Sequence, residues 1–294
     1  MMRRNLFIMV MVISLIVSPL LSYADDFISR NYYSPVRQYM DIYITTVPDA
    51  INNTTYDLLF NLYLPVRNPK QPKPLLIYIH GNGGAYNFSN GSRAYDFSIA
   101  LANQGIAVAT IDYRPGRIFS SFQENIWDVK AYIRYFRANA AYFNLDPNRF
   151  CLWGTSRGGQ LSALLAVTGD SGNPDLEGTV GGNLEYSSAV QAAVTYYPIG
   201  GSPGSTQAYT DSRFDPVGYI DKNDPPTLIA VGGKDVLAPP PVSLALYNQY
   251  VAVGGNANLF MWSQGVHGRV GLDIEAYSSD WILNKLLVEL APQQ

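Results

Sequence analysis

The residues best placed to do chemistry lie in Gly154-Thr155-Ser156-Arg157-Gly158-Gly159, between an apolar run, Phe150 to Trp153, and a helix-forming run, Gln160 to Val167. Strand, sharp turn and helix in that order hold a serine in a strained backbone conformation, and flanking glycines leave room where a Cβ atom would collide. Such a turn presents Ser156 Oγ above the sheet edge. A positioned, exposed hydroxyl is what acyl transfer requires. Because a serine hydroxyl is a weak nucleophile, a base must take its proton and a carboxylate must hold that base in the right tautomer.

The chain has only two histidines. His80 ends the apolar run Leu75 to Ile79, whereas His267 lies in Gln264-Gly265-Val266-His267-Gly268, after the last predicted strand. Chain order serine, acid, histidine leaves His267 as the base. The acid is then expected after the strand Thr227 to Val231, where Gly232-Gly233-Lys234-Asp235 supplies Asp235. Asp221 and Asp224 fall before that strand and Asp273 after the histidine, so each is a poorer choice. His80-Gly81-Asn82-Gly83-Gly84 follows the third strand as a glycine-rich loop. Backbone N–H groups of Asn82 or Gly83, with that of Arg157, are the expected donors to an oxyanion. His80 itself reads as a structural anchor of that loop.

These residues must be carried by a framework, and the hydrophobic pattern supplies one. Asp41 to Thr46 and Tyr56 to Val66 read as an antiparallel hairpin at a sheet edge. Beyond it, strands and helices alternate. Strands are expected at Leu75–Ile79, Ile106–Ile111, Phe150–Trp153, Val190–Tyr197, Thr227–Val231 and Ala257–Trp262. Helices are expected at Arg93–Gln104, Asn125–Tyr142, Gln160–Val167, Val242–Val253 and Ile274–Leu290, with Asp146-Pro147 stopping the second. The implied fold class is α/β: a mostly parallel, doubly wound sheet of about eight strands with helices on both faces. Two stretches break the alternation, Gly169–Ser188 and Gly200–Pro226, both rich in Gly, Asp, Asn, Ser and Pro. They are read as excursions that follow strands on the ligand-binding side of the sheet, near the mouth of the site.

Composition narrows the function classes. A chain of 294 residues with 47% hydrophobic content can bury one large core, and no linker or low-complexity block divides it. Arg3 and Arg4, the apolar stretch Leu6 to Val17 and Ser22-Tyr23-Ala24 read as a secretory signal, residues 1–24, ahead of a single domain at 25–294. The expected localisation is periplasmic or secreted, with no stable membrane insertion after cleavage. A net charge of −3, made more acidic by loss of two arginines, argues against nucleic acid as a partner. The single cysteine, Cys151, sits inside an apolar strand and reads as a core residue. The 22 tyrosines suit aromatic or sugar-bearing ligands, and serve half-exposed strand positions equally well.

Leu75-Leu76-Ile77-Tyr78-Ile79-His80-Gly81, Ile111-Asp112-Tyr113-Arg114, Asp128-Val129-Lys130-Ala131, Leu145-Asp146-Pro147-Asn148-Arg149 and Leu152-Trp153-Gly154-Thr155-Ser156-Arg157-Gly158-Gly159 resemble the α/β-hydrolase esterases near hormone-sensitive lipase. The resemblance is nearest to the feruloyl-esterase-like (BD-FAE) branch. It spans roughly residues 55 to 290 and includes Asp224-Pro225-Pro226. It implies an α/β-hydrolase fold, a Ser156–Asp235–His267 triad, and hydrolysis of small or aromatic carboxylic esters without a cofactor or metal. A serine peptidase with the same triad and a catalytically inactive binding protein are the competing readings. Three positions depart from the branch: Asn82 stands for a glycine, Gly232-Gly233 for His-Gly, and Arg157 for an alanine. A positive charge near the acyl pocket is the expected consequence of the last.

Overall fold

The computed structural model describes residues 36–49, 53–81, 92–115, 122–200, 211–269 and 271–292. Eight strands form one sheet: β1 (Val36–Asp49), β2 (Thr54–Pro65), β3 (Lys73–Ile79), β4 (Ala107–Ile111), β5 (Leu145–Thr155), β6 (Ala192–Tyr196), β7 (Thr227–Gly232) and β8 (Ala257–Trp262). Their spatial order is β1-β2-β4-β3-β5-β6-β7-β8. β1 and β2 form the expected antiparallel hairpin, β2 joins β4 antiparallel, and β3 to β8 run parallel.

The helices are α1 (Ser92–Asn103), α2 (Phe122–Ala138), α3 (Ala140–Phe143), α4 (Arg157–Val167), α5 (Pro174–Glu177), α6 (Pro240–Val253) and α7 (Leu272–Asn284). The last continues as a π-helical turn through Lys285–Glu289.

The parallel strands are apolar on both faces because both are covered. Leu75, Ile77 and Ile79 of β3, with Phe150 and Leu152 of β5, pack on Ile126, Val129, Ile133 and Phe136 of α2 and on Leu161, Leu164 and Leu165 of α4. The alternate residues, Leu76, Cys151 and Trp153, join Leu101 of α1 and Trp281, Ile282 and Leu286 near the C-terminus. Full burial of each such aliphatic or phenyl side chain contributes about 1.5–3 kcal/mol. Cys151 is part of this second layer, and burial pushes its thiol pKa up, which keeps it an inert core residue.

Strand order positions the site. From β3 the chain crosses through α1 to β4 on one side, whereas from β5 it crosses through α4 to β6 on the other. Connections leave the adjacent strands β3 and β5 in opposite directions, so a crevice opens beyond their carboxyl ends.

Two sequence expectations are corrected. The predicted helix Asn125–Tyr142 is α2 followed by the separate turn α3, and it is stopped by Asn144 in the left-handed region (φ 56°), not by Asp146-Pro147, which already lies in β5. Asn reaches that conformation more readily than most residues and so ends a helix much as glycine does. Moreover, Gly169–Ser188 does not follow a strand: it follows α4 and leads into β6, so it starts and ends at the opposite sheet edge from the crevice. Nor is it a free excursion. Gln123, Trp127, Lys130, Arg134 and Arg137, spaced along one face of α2, hold it. Trp127 Nε1 donates to Asp175 O (2.9 Å), Lys130 Nζ to Glu177 Oε1 (2.5 Å), Arg134 Nη2 to Val180 O (3.0 Å) and Arg137 Nη2 to Ala189 O (2.7 Å). The described part of the second stretch, from residue 211, is also docked: Phe214 packs on Phe122, and Gln160 Nε2 donates to Phe214 O.

Candidate active site

Ser156 occupies the turn between β5 and α4 with φ 56° and ψ −116°, a conformation costly for any residue bearing a Cβ. The surroundings over-determine it. Its N–H donates to Tyr196 O at 2.9 Å and its carbonyl accepts from Gln160 N at 3.0 Å. Only glycine fits around it: a Cβ on Gly158 would stand 2.1 Å from Ile79 O, and one on Gly81 would stand 3.0 Å from Ser156 Cβ. The end of β3 and the elbow after β5 are therefore pressed together at the point where the crevice opens.

The acid and histidine loops run side by side. Gly233 N donates to Trp262 O (2.7 Å) and Lys234 N to Gly265 O (2.8 Å). A Cβ on Gly232 would lie 2.5 Å from Gly265 C, so glycine at this position lets the two loops approach. This clamp brings Asp235 and His267 together although 32 residues separate them.

Ser156 Oγ lies 2.9 Å from His267 Nε2, and His267 Nδ1 lies 2.8 Å from Asp235 Oδ2. The Asp235 side chain is fully buried, and its other oxygen accepts from Leu237 N (2.9 Å) and Ala238 N (2.8 Å). A carboxylate only accepts, so Nδ1 carries the imidazole proton and Nε2 is left to accept from the serine hydroxyl. The sequence-predicted serine, acid and histidine thus form one continuous relay, with the imidazole partly open to solvent.

Of the expected oxyanion donors, Asn82 and Gly83 lie outside the described residues. The third, the Arg157 N–H, opens the first turn of α4 next to Ser156, where backbone donors point out of the helix. His80 is 2% exposed, and burial lowers its pKa to about 4, so it is neutral. Its Nδ1 donates to Gly81 O (2.7 Å), its ring stacks on Tyr113 at 4.5 Å, and Tyr113 Oη donates to His80 O. It braces the end of β3, as a structural anchor would.

The Arg157 side chain departs from the expectation of charge near an acyl pocket. It is 1% exposed and runs into the interior. Its Nε and Nη2 donate to Asn125 Oδ1 (2.9 and 2.5 Å), and the guanidinium lies 5.5 Å over the Phe122 ring. Asn125 Nδ2 donates in turn to Arg114 O, and Arg114 is clamped by Asp128 through Nε, Nη2 and its own N–H. Sequence reasoning assigned no role to Asn125 or to Tyr197, whose ring stands 4.9 Å from the His267 ring. A polar residue on the core-facing side of an otherwise apolar helix face was the available signal for Asn125; Tyr197 carried none.

Residues 60–202 match the BD-FAE family model. Esterase LipC of Mycobacterium tuberculosis is 26% identical over 189 residues, 58% of this chain and 46% of LipC, so the chain spans under half of that relative's length. A truncated carbohydrate esterase from gut microbiota superposes with a TM-score of 0.69 at 24% identity, covering 85% of this chain and 96% of that one. Esterase 2 of Thermogutta terrifontis, phosphorylated by paraoxon, superposes with a TM-score of 0.65 at 22% identity over 90% of this chain and 97% of that one. With the sheet order, the serine elbow and these likenesses in agreement, the chain has the α/β-hydrolase fold, and its segment 60–202 is similar to the BD-FAE family.

Proposed function

We propose that this protein hydrolyses carboxylic esters through an acyl-enzyme. The observation that carries the reading is the unbroken relay from Ser156 Oγ through His267 to Asp235, at 2.9 and 2.8 Å. His267 Nε2 takes the hydroxyl proton as Ser156 Oγ attacks the ester carbonyl carbon. The oxyanion that develops is met by the Arg157 N–H and by those of Asn82 or Gly83. Collapse expels the alcohol, which leaves with the proton from Nε2, and water then repeats the sequence on the acyl-serine. Asp235 holds the tautomer throughout and stabilises the imidazolium.

The proposed substrates are small or aromatic acyl esters, including those on plant-derived carbohydrate or phenolics. The BD-FAE match and the carbohydrate-esterase fold neighbour support that class. Export through residues 1–24, ahead of one domain at 25–294, belongs to the same reading and rests on the charged, apolar, then small-residue pattern of that segment. Among the described residues, no helix is long and apolar enough to cross a membrane.

The test is turnover of p-nitrophenyl acetate and butyrate by the mature chain, with labelling by a phosphonate serine probe, in wild type, Ser156→Ala and His267→Ala. Wild type should turn over and label, and both variants should lose nearly all activity while remaining folded. Absence of both turnover and labelling in wild type refutes the proposal, as does activity surviving in Ser156→Ala. A panel of acetyl, butyryl, feruloyl and galloyl esters then identifies the acyl group.

A further inference from the structure

We infer that Tyr197 is a positioning residue for His267, an assignment that rests on the serine-hydrolase reading above. Tyr197 directly follows β6 and holds φ 36°, in the left-handed region that bulky side chains avoid. Strain of this kind persists only where neighbours enforce it, and it concentrates where geometry serves a task. Here the enforcement comes from both sides. The Tyr197 N–H donates to Ala230 O of β7 at 2.7 Å, and the preceding carbonyl, Tyr196 O, accepts from Ser156 N at 2.9 Å. The two residues thereby tie the nucleophile elbow to the strand that carries the acid. The turn sets the Tyr197 ring edge-to-face with the imidazole, centroids 4.9 Å apart and planes at 66°. At 9% exposure, the tyrosine is itself fixed.

A wall at this place does something the relay cannot. Hydrogen bonds at Nδ1 and Nε2 lie at opposite ends of the imidazole, so they fix the line from Asp235 to Ser156 but only weakly resist rocking of the ring about that line. His267 sits on a loop and is 24% exposed at its side chain, so solvent offers no restraint on the open side. The aromatic contact with Tyr197 resists that rocking. Rocking matters most when Nε2 must redirect its proton from the serine oxygen to the departing alcohol oxygen, because small misplacements of a proton donor cost rate steeply. The contact therefore acts on kcat more than on substrate binding.

The experiment compares Tyr197→Leu and Tyr197→Phe with wild type and Ser156→Ala, measuring kcat and KM on p-nitrophenyl acetate together with thermal unfolding. Tyr197→Leu should lower kcat by about 10- to 100-fold with KM changed by less than about threefold, whereas Tyr197→Phe, which keeps the ring, should stay within about threefold of wild type. The downfield His267 Nδ1–H proton resonance should broaden in the leucine variant and persist in the phenylalanine one. Should Tyr197→Leu fail to fold, Tyr197→Met serves the same comparison. A folded leucine or methionine variant with wild-type kcat, or a phenylalanine variant that falls as far as leucine, overturns the assignment. Loss of turnover in Ser156→Ala beside wild-type kcat in Tyr197→Leu refutes Tyr197's role alone; survival of turnover in Ser156→Ala refutes the reading beneath it.

Discussion

Replacing Asp235 by asparagine changes one atom, and the structure dictates which way that atom points. Asp235 Oδ1 accepts two backbone N–H groups, from Leu237 and Ala238, while Oδ2 accepts from His267 Nδ1. In Asp235→Asn the amide oxygen must take the Oδ1 place. The reverse placement sets an NH2 group against two N–H donors, one buried and one part-buried, each of which costs about 1–3 kcal/mol when left unpaired. The NH2 therefore faces His267 Nδ1 and donates to it. That forces the imidazole proton onto Nε2, which can no longer accept from Ser156 Oγ–H. Reaching the competent tautomer means turning the amide over, so that its NH2 opposes both donors at a cost of about 2–6 kcal/mol. That cost corresponds to roughly 30- to 10⁴-fold in kcat.

The variant should nevertheless fold as wild type does, because its shape and both loop hydrogen bonds survive. Asp235→Ala offers the contrast, since it removes the acceptor for Leu237 N and Ala238 N and should lower stability as well as rate. Turnover of p-nitrophenyl acetate, with denaturant unfolding on the same samples, separates the two. Asp235→Asn should also lose less activity than His267→Ala, which removes the base outright. A folded Asp235→Asn variant within tenfold of wild-type kcat would refute the tautomer argument.

Asp224 is pushed up to about 6 from 3.8 by burial while accepting from Asp221 N at 2.6 Å. The folded state therefore holds its proton more tightly than the unfolded state, and this group's contribution to stability falls as pH rises from about 4 to about 6. Asp224→Asn, which keeps an acceptor for Asp221 N, should unfold at higher denaturant than wild type at pH 8 and equally at pH 3.5; equal midpoints at pH 8 contradict this. Asn125→Ala takes one amide away from both the Arg157 guanidinium and Arg114 O. It should cost about 2–4 kcal/mol in urea unfolding, and a loss under 0.5 kcal/mol would show that Asn125 does not hold the elbow arginine. Gly158→Ala gains about 1 kcal/mol of helix propensity but sets a Cβ 2.1 Å from Ile79 O. A net loss of about 1–3 kcal/mol is expected, and a rise in melting temperature would show that α4 can move off β3.

The relay was legible in the sequence because each partner announces itself locally. An apolar run ending in Gly154 and resuming as a helix after Gly158 marks the elbow, and the serine–acid–histidine order leaves Asp235 and His267 by position after β7 and β8. What makes the relay rigid was not legible, since it depends on contacts between distant segments. Periodicity carries the helix Asn125–Tyr142 through residue 142, because an apolar stripe does not reveal that Asn144 turns left-handed and ends it. The stretch Gly169–Ser188 has the composition of a loop, but its polar groups are spent on one face of α2, through Trp127, Lys130, Arg134 and Arg137.

Arg157 shows the difficulty most directly. An arginine beside a nucleophile reads as a substrate-facing charge because arginines are rarely fully buried without partners. The partner that reverses the reading is Asn125, 32 residues earlier. Asn125 in turn is held on Arg114 O, next to the Asp128 clamp. The motif Asp112-Tyr113-Arg114 is thus connected to the elbow by two amide contacts. The side chain that Asn125 holds belongs to the residue whose N–H is the proposed oxyanion donor, so a change at Asn125 should register in both stability and kcat.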